Sequence, residues 1–179
     1  MQFKKLSIEG LYLITHNLFN DHRGMFGREF CSKEIDKFFK YSPKFRVAQT
    51  NISFNKKKGT LRGFHYQKYP FEEEKIIKCL TGRIFDVVID LRKNSKTYMN
   101  YFSTKLNSGN KMLFIPRGFA HAFQTLEDNT TIMYLHGNKY NPKYQNGIFY
   151  NSNEFNIKWP INKKIISTRD RKLPIKYEV

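Results

Sequence analysis

The run Arg83-Ile84-Phe85-Asp86-Val87-Val88-Ile89-Asp90-Leu91-Arg92 constrains the fold most. Phe85, Val87, Ile89 and Leu91 alternate with Asp86, Val88, Asp90 and Arg92, a period of two that fits a β-strand and no helix. Strand-like runs recur at 11–15, 25–30, 45–54, 59–67, 75–80, 98–106, 111–115, 120–126 and 130–136. Turn signals separate them, as at Asn20-Asp21-His22-Arg23-Gly24, Thr81-Gly82, Pro116-Arg117-Gly118 and Glu127-Asp128-Asn129. One stretch, Ser32 to Phe39, reads as a short helix with Ser32 as N-cap. Many short strands, turns every 8–12 residues and one or two short helices indicate an all-β sandwich or barrel of the jelly-roll kind.

The chain has 179 residues, long enough for one well-cored domain, and no linker or repeat divides it, so 1–179 is expected to form a single domain. Its 17 Phe and 11 Tyr suit a packed β protein. No apolar run approaches the roughly 20 residues that span a bilayer, and Met1-Gln2-Phe3-Lys4-Lys5-Leu6 lacks the apolar core of a signal peptide. Two cysteines, Cys31 and Cys79, form no framework, so a reducing, cytoplasmic setting is expected. The net charge of +17 attracts anions. The lysines are scattered and no nucleic-acid signature accompanies them, which leaves a small phosphorylated ligand as the expected partner, with neither nucleic acid nor membrane.

Polar residues that fall on strands need a reason if they point inward, because an unpaired buried polar group is costly. Gln49, Asn51, His65, Lys75, Asp86, His121 and Tyr134 are of this kind. A metal centre is one reason, yet the five histidines include no pair two residues apart on one strand, and about three protein ligands are usual. A metal-free pocket is the other. Taking a proton from a carbon beside a ketone needs a base, a cation for the enolate and an acid to return a proton. Histidine, lysine and tyrosine can fill those roles, and inversion follows if base and acid stand on opposite faces.

The motifs Asp21-His22-Arg23-Gly24-Met25-Phe26, Gln49-Thr50-Asn51, Leu61-Arg62-Gly63-Phe64-His65-Tyr66-Gln67, Ile115-Pro116-Arg117-Gly118-Phe119-Ala120-His121 and Ser167-Thr168-Arg169-Asp170, with Lys75, Tyr134 and Tyr140-Asn141-Pro142 between them, resemble the dTDP-4-dehydrorhamnose 3,5-epimerase family. The resemblance covers nearly the whole chain. It implies a cupin-type jelly roll, a homodimer that exchanges amino-terminal strands, no cofactor or metal, and a nucleotide-diphosphate 4-keto sugar as substrate. It makes His65 the base, Asp170 the carboxylate that orients it, Tyr134 the acid of the other face and Lys75 the cation at the keto oxygen. His121, backed by Asp86, falls in the same pocket. Arg62, Gln49 and Asn51 fall near the diphosphate or sugar, Tyr140 is a further substrate-binding residue, and Arg23 and Phe26 fall on nucleotide contacts near the dimer interface.

Ideal alternation puts Arg62 on the face opposite His65, which a bulge at Gly63 or a role at the edge of the sheet would reconcile. After Phe26 the chain reads Gly27-Arg28-Glu29 where many members have an aromatic residue and a glutamate, so Arg28 and Glu29 become candidate base contacts, with GDP as well as dTDP as the nucleotide. The substrate can be a 6-deoxyhexose or a heptose, inverted at carbon 3 or at carbons 3 and 5, for capsule or lipopolysaccharide synthesis. The rival readings are a 3,4-ketoisomerase of the same barrel type and a non-catalytic sugar- or nucleotide-binding barrel.

Overall fold

A computed structural model describes residues 1–39 and 44–177. The amino-terminal part supplies β1 (Gln2–Lys5), β2 (Tyr12–Thr15), the hairpin β3 (Leu18–Asp21) and β4 (Gly24–Gly27), then α1 (Ser32–Phe38). The long strands follow: β5 (Gln49–Asn55), β6 (Leu61–Gln67), β7 (Lys75–Thr81), β8 (Arg83–Asp90), β9 (Tyr101–Asn107), β10 (Lys111–Ile115), β11 (Phe119–Thr125) and β12 (Thr130–His136). The chain ends with β13 (Gln145–Gly147) and the single-turn α2 (Thr168–Arg171).

Two antiparallel sheets carry the fold. One runs β1-β2-β10-β7-β12-β5 and the other β13-β6-β11-β8-β9, while β3 and β4 pair only with each other among the described residues. The sheets face one another as a jelly-roll sandwich. Ile77, Leu113 and Ile132 of the first meet Ile84, Val88 and Phe123 of the second in a dry central layer. The outward face of the second sheet, with Val87, Ile89 and Ala120, is covered by Phe155 and Trp159 from the carboxyl-terminal segment. The outward face of the first, with Ile14, Ile76 and Phe114, is covered by Ile35 of α1 together with Phe39 and Phe45. Both sheets are therefore apolar on two faces over most of their width, which explains why β7 and β11 are buried almost end to end.

The helix begins one residue differently from expectation. Cys31, extended at φ −147° and ψ 110°, is the N-cap and makes no side-chain capping bond, and Ser32 is already helical.

The departure from regularity that matters most lies in β6. His121 faces His65 and Phe123 faces Arg62, so Gly63 and Phe64 together oppose the single residue Ala122. This is the expected bulge. Gly63 sits at φ +115°, and a Cβ there would lie 2.5 Å from the His121 carbonyl oxygen and 2.6 Å from the Ala122 Cβ. Only glycine fits. The extra residue resets the alternation, so Leu61 joins Phe64 and Tyr66 in the outer layer and does not share the face of His65. Arg62 and His65 turn to the same interior side.

Candidate active site

At one end of the sandwich the central layer turns from apolar to polar and opens into a cavity of about 500 Å³. The five-stranded sheet contributes Arg62 and His65 from β6 and His121 from β11. The six-stranded sheet contributes Lys75 from β7, Tyr134 and His136 from β12 and Asn51 and Ser53 from β5. Register explains the grouping: His121 pairs with His65, Tyr134 with Asn51 and His136 with Lys75. Cross-strand partners share a face.

Behind His65, Asp170 of α2 places Oδ1 2.9 Å from Nε2, and its Oδ2 accepts the Gly63 amide at 3.2 Å. Burial pushes the Asp170 carboxyl up, but the His65 hydrogen bond and charge and the amide bond outweigh it and hold it below the usual carboxylate range. It is thus a carboxylate at neutral pH. The hydrogen between the pair then belongs to Nε2, and Nδ1 is the nitrogen left to take a proton. His121 has an equivalent partner, Asp86, at 2.8 Å, and both are buried. Tyr134 lies beside the His121 ring at 6.1 Å and stacks on His136 at 5.7 Å. Burial above all, and then the Asp86 charge, push its phenol up, so it stays protonated across the neutral range.

Lys75 is buried, and its ammonium meets Glu73 Oε1 at 3.1 Å. The other oxygen of Glu73 meets His136 Nδ1 at 2.9 Å. Arg62 donates through Nε to Asn55 Oδ1 at 2.9 Å. Tyr140 lines the mouth and its hydroxyl donates to Gln145. Cys79 is buried, and its thiol is pushed up to about 11, chiefly by burial, which makes it a poor nucleophile.

The chain's own cavity therefore gathers His65, Lys75, Tyr134, His121, Arg62, Asn51 and Tyr140, with Asp170 and Asp86 behind the histidines. The remaining candidates lie elsewhere. Gln49 bonds Asn51 and the Tyr140 amide and does not line the cavity. Arg23 and Phe26 sit on the β3–β4 hairpin around a separate surface depression, where Arg23 pairs with Asp21. Arg28 pairs with Glu34 and Glu29 with Lys78, because the chain leaving β4 runs along the outward face of the six-stranded sheet. Sequence reasoning passed over Glu73, His136 and Gln145. Glu73 lay hidden in the acidic run 72–74, which resembles a solvated turn, whereas His136 shares the alternation of Tyr134 and was open to discovery.

A family model described as dTDP-4-dehydrorhamnose 3,5-epimerase matches residues 5–177. The chain is 34% identical over 171 residues to dTDP-4-dehydrorhamnose 3,5-epimerase of Shigella flexneri, with 95% of this chain and 93% of that one covered. It is 32% identical over 173 residues to dTDP-4-dehydrorhamnose 3-epimerase of Streptomyces niveus, covering 96% and 82%. The crystal structure of dTDP-4-dehydrorhamnose 3,5-epimerase from Bacillus anthracis, with TDP and PPi bound, superposes with a TM-score of 0.92 at 33% identity, covering 97% and 98%.

Proposed function

From the premise that this chain belongs to the dTDP-4-dehydrorhamnose 3,5-epimerase family, we propose how its own residues carry the reaction. It is an epimerase of nucleotide-diphosphate 4-keto sugars, an isomerase that inverts a carbon beside the ketone. The observation that carries the assignment of roles is that His65 and Tyr134 enter one cavity from opposite sheets. His65 removes the proton from carbon 3, assisted by the Asp170 carboxylate, which stabilises the imidazolium that forms. The electron pair left behind moves into the ketone as an enolate, and the Lys75 ammonium faces the oxygen that gains the charge. The Tyr134 hydroxyl then delivers a proton to the opposite face of the carbon. His121, held by Asp86, donates to a hydroxyl of the ring. Arg62 takes the diphosphate, where a guanidinium fork suits phosphate oxygens. Every step draws on side chains, and no cofactor or metal is asked for.

The nucleotide is dTDP on this reading. The relatives named above act on dTDP sugars, and Arg28, the residue that made guanine attractive, is engaged by Glu34. Inversion at carbon 3 is common to both relatives' names; inversion at carbon 5 as well follows if the sugar can turn in the cavity. The product feeds surface-polysaccharide synthesis, capsule or lipopolysaccharide, in the cytoplasm, and residues 1–179 act as one domain. A homodimer completes the site. Strands β1 and β2 pair within the chain, so the element to exchange is the β3–β4 hairpin. Phe26 is 77% exposed there, and Ile52, on the free edge strand β5 beside the cavity mouth, is 66% exposed. Docking one on the other covers both and brings Arg23 and Phe26 to the partner's cavity.

Incubation in deuterated water with dTDP- and GDP-linked 4-keto hexoses and heptoses tests the reading. Deuterium at carbon 3, or at carbons 3 and 5, with the ketone still at carbon 4 is expected for the dTDP hexose. A ketone that migrates to carbon 3 would make the protein a ketoisomerase, and no exchange with any substrate would leave a binding barrel.

A further inference from the structure

Lys75 is a buried ammonium, and a buried charge needs a partner that is itself held in place. Glu73 is that partner, and what holds Glu73 can be traced without ambiguity. The Tyr140 backbone amide can only donate, and it meets Gln49 Oε1 at 3.0 Å. Gln49 must then present its amide nitrogen to Asn51, where Nε2 donates to Oδ1 at 2.9 Å. Asn51 must in turn present its own amide nitrogen to His136, with Nδ2 and Nε2 3.4 Å apart. The acceptor on His136 is therefore Nε2, the ring hydrogen is on Nδ1, and Nδ1 donates to Glu73 Oε2 at 2.9 Å. Oε1 of Glu73 is left for the Lys75 ammonium at 3.1 Å.

We propose that the chain Gln49–Asn51–His136–Glu73 is a positioning relay that holds Lys75 in place for enolate stabilisation. Its members come from β5, β12 and the segment before β7, and the register pairs them: His136 opposes Gln49 on one side and Lys75 on the other. Burial pushes the Glu73 carboxyl up, but the His136 bond and the Lys75 charge outweigh it and leave it below the usual range, so the relay ends in a carboxylate. The other charged or titratable groups that line this cavity are Arg62, His65, His121 and the tyrosines Tyr66, Tyr134 and Tyr140, with Asp86 behind His121 and Asp170 behind His65. Glu73 stands alone among them as an anion within reach of Lys75.

The inference rests on the assignment of Lys75 to the enolate, and the test separates the two. The measurements are kcat and KM for carbon-3 exchange and epimerisation of the accepted dTDP 4-keto sugar, with thermal melting as the folding control. Glu73→Gln keeps an oxygen for Lys75 and removes the charge. The variant is expected to lower kcat by about tenfold or more with little change in KM, because the ammonium has lost the anion that holds it in place. His136→Leu is expected to lower kcat by about tenfold or more with little change in KM, as a misplaced catalytic group would. His136→Gln can accept from Asn51 and donate to Glu73, and should recover most of that loss. An undiminished kcat in Glu73→Gln, or equal loss in the Leu and Gln variants of His136, overturns the relay. Should Glu73→Gln fail to fold, the two His136 variants decide. Full exchange in Lys75→Met would instead overturn the role of Lys75, whatever the relay variants do.

Discussion

Asp170 reaches His65 across 105 residues of chain and places a carboxylate oxygen 2.9 Å from Nε2. The contact depends on a turn whose own geometry is set locally: Ser167 caps α2 by accepting the Asp170 amide at 3.0 Å. The same carboxylate holds the Gly63 amide within the bulge, so one side chain fixes both the base and the backbone that carries it. In Asp170→Asn the ring loses the carboxylate acceptor that fixes its tautomer and can adopt the other one. Carbon-3 exchange should fall by roughly 10²–10⁴, and His65→Asn should take it to the background of the assay, with the near-ultraviolet dichroism of both variants unchanged. Exchange at the normal rate in His65→Asn would remove the base from the mechanism.

Tyr134→Phe separates proton removal from inversion. The phenol, kept protonated by burial and by Asp86, is the proposed donor on the face opposite His65. Without it, His65 can still remove the proton and return it, or a deuteron, to the face it left. The variant should therefore show slow exchange at carbon 3 with retained configuration, while inverted product falls by about 10²-fold. The configuration of the deuterated sugar, read by NMR, decides. Inverted product at an undiminished rate would assign the acid to another group.

Gly63→Ala should damage stability and activity together. The added methyl group has no room against the His121 carbonyl and Ala122, and φ +115° adds backbone strain of about 1–3 kcal/mol. For a chain of this size each kcal/mol lowers Tm by roughly 2–4 °C. If the strand relaxes by losing the bulge, Arg62 and His65 part to opposite faces, so exchange should drop even at temperatures where the variant is folded. A variant with normal Tm and normal exchange would show that the bulge is not required.

How far the molecule was legible follows from these particulars. Period-two alternation revealed the long strands β5 to β12, because a pleat sorts side chains whatever the rest of the chain does, but not the two-sided burial of β8, whose second face carries Asp86 and Asp90. The glycine inside β6 offered a bulge as one of two ways to reunite Arg62 with His65, and the register selects it over a role at the sheet edge. Asp170 was a different matter. It sits in a segment of little periodicity, far from His65 in sequence, and only the family resemblance pointed to it. Glu73 and His136 were missed since their meaning is pairwise: a glutamate in an acidic turn and a histidine at a strand end become a unit only when β7 and β12 lie side by side. Arg28 and Glu29 were expected at the nucleotide, yet each is held by a charge on its own chain, a contact that no spacing rule announces.

The pair Lys78 and His16 gives stability a pH dependence of its own. Lys78, on the outward face of β7, donates to the Gly109 carbonyl at 2.7 Å, to Glu29 at 3.0 Å and to His16 Nε2 at 2.9 Å. His16 therefore accepts and must be neutral, with its hydrogen on the buried Nδ1, for which there is no partner among the described residues. Burial first, and the Lys78 charge second, lower its proton affinity, opposed in part by Glu29. A histidine whose folded value lies below its ordinary 6.5 is protonated more readily in the unfolded chain. Its contribution to stability is thus complete above about pH 6.5 and is lost as the pH falls through the folded value. Melting curves between pH 7.5 and 5 should show Tm declining from about 6.5 downward, and His16→Gln, which keeps an acceptor for Lys78 but cannot titrate, should flatten that decline. Glu29→Gln leaves the lysine three neutral acceptors and no counter-charge. Because Glu29 is partly exposed and screened, the cost should be about 1–3 kcal/mol. An identical slope of Tm against pH in the His16→Gln variant would place the acid sensitivity on other groups.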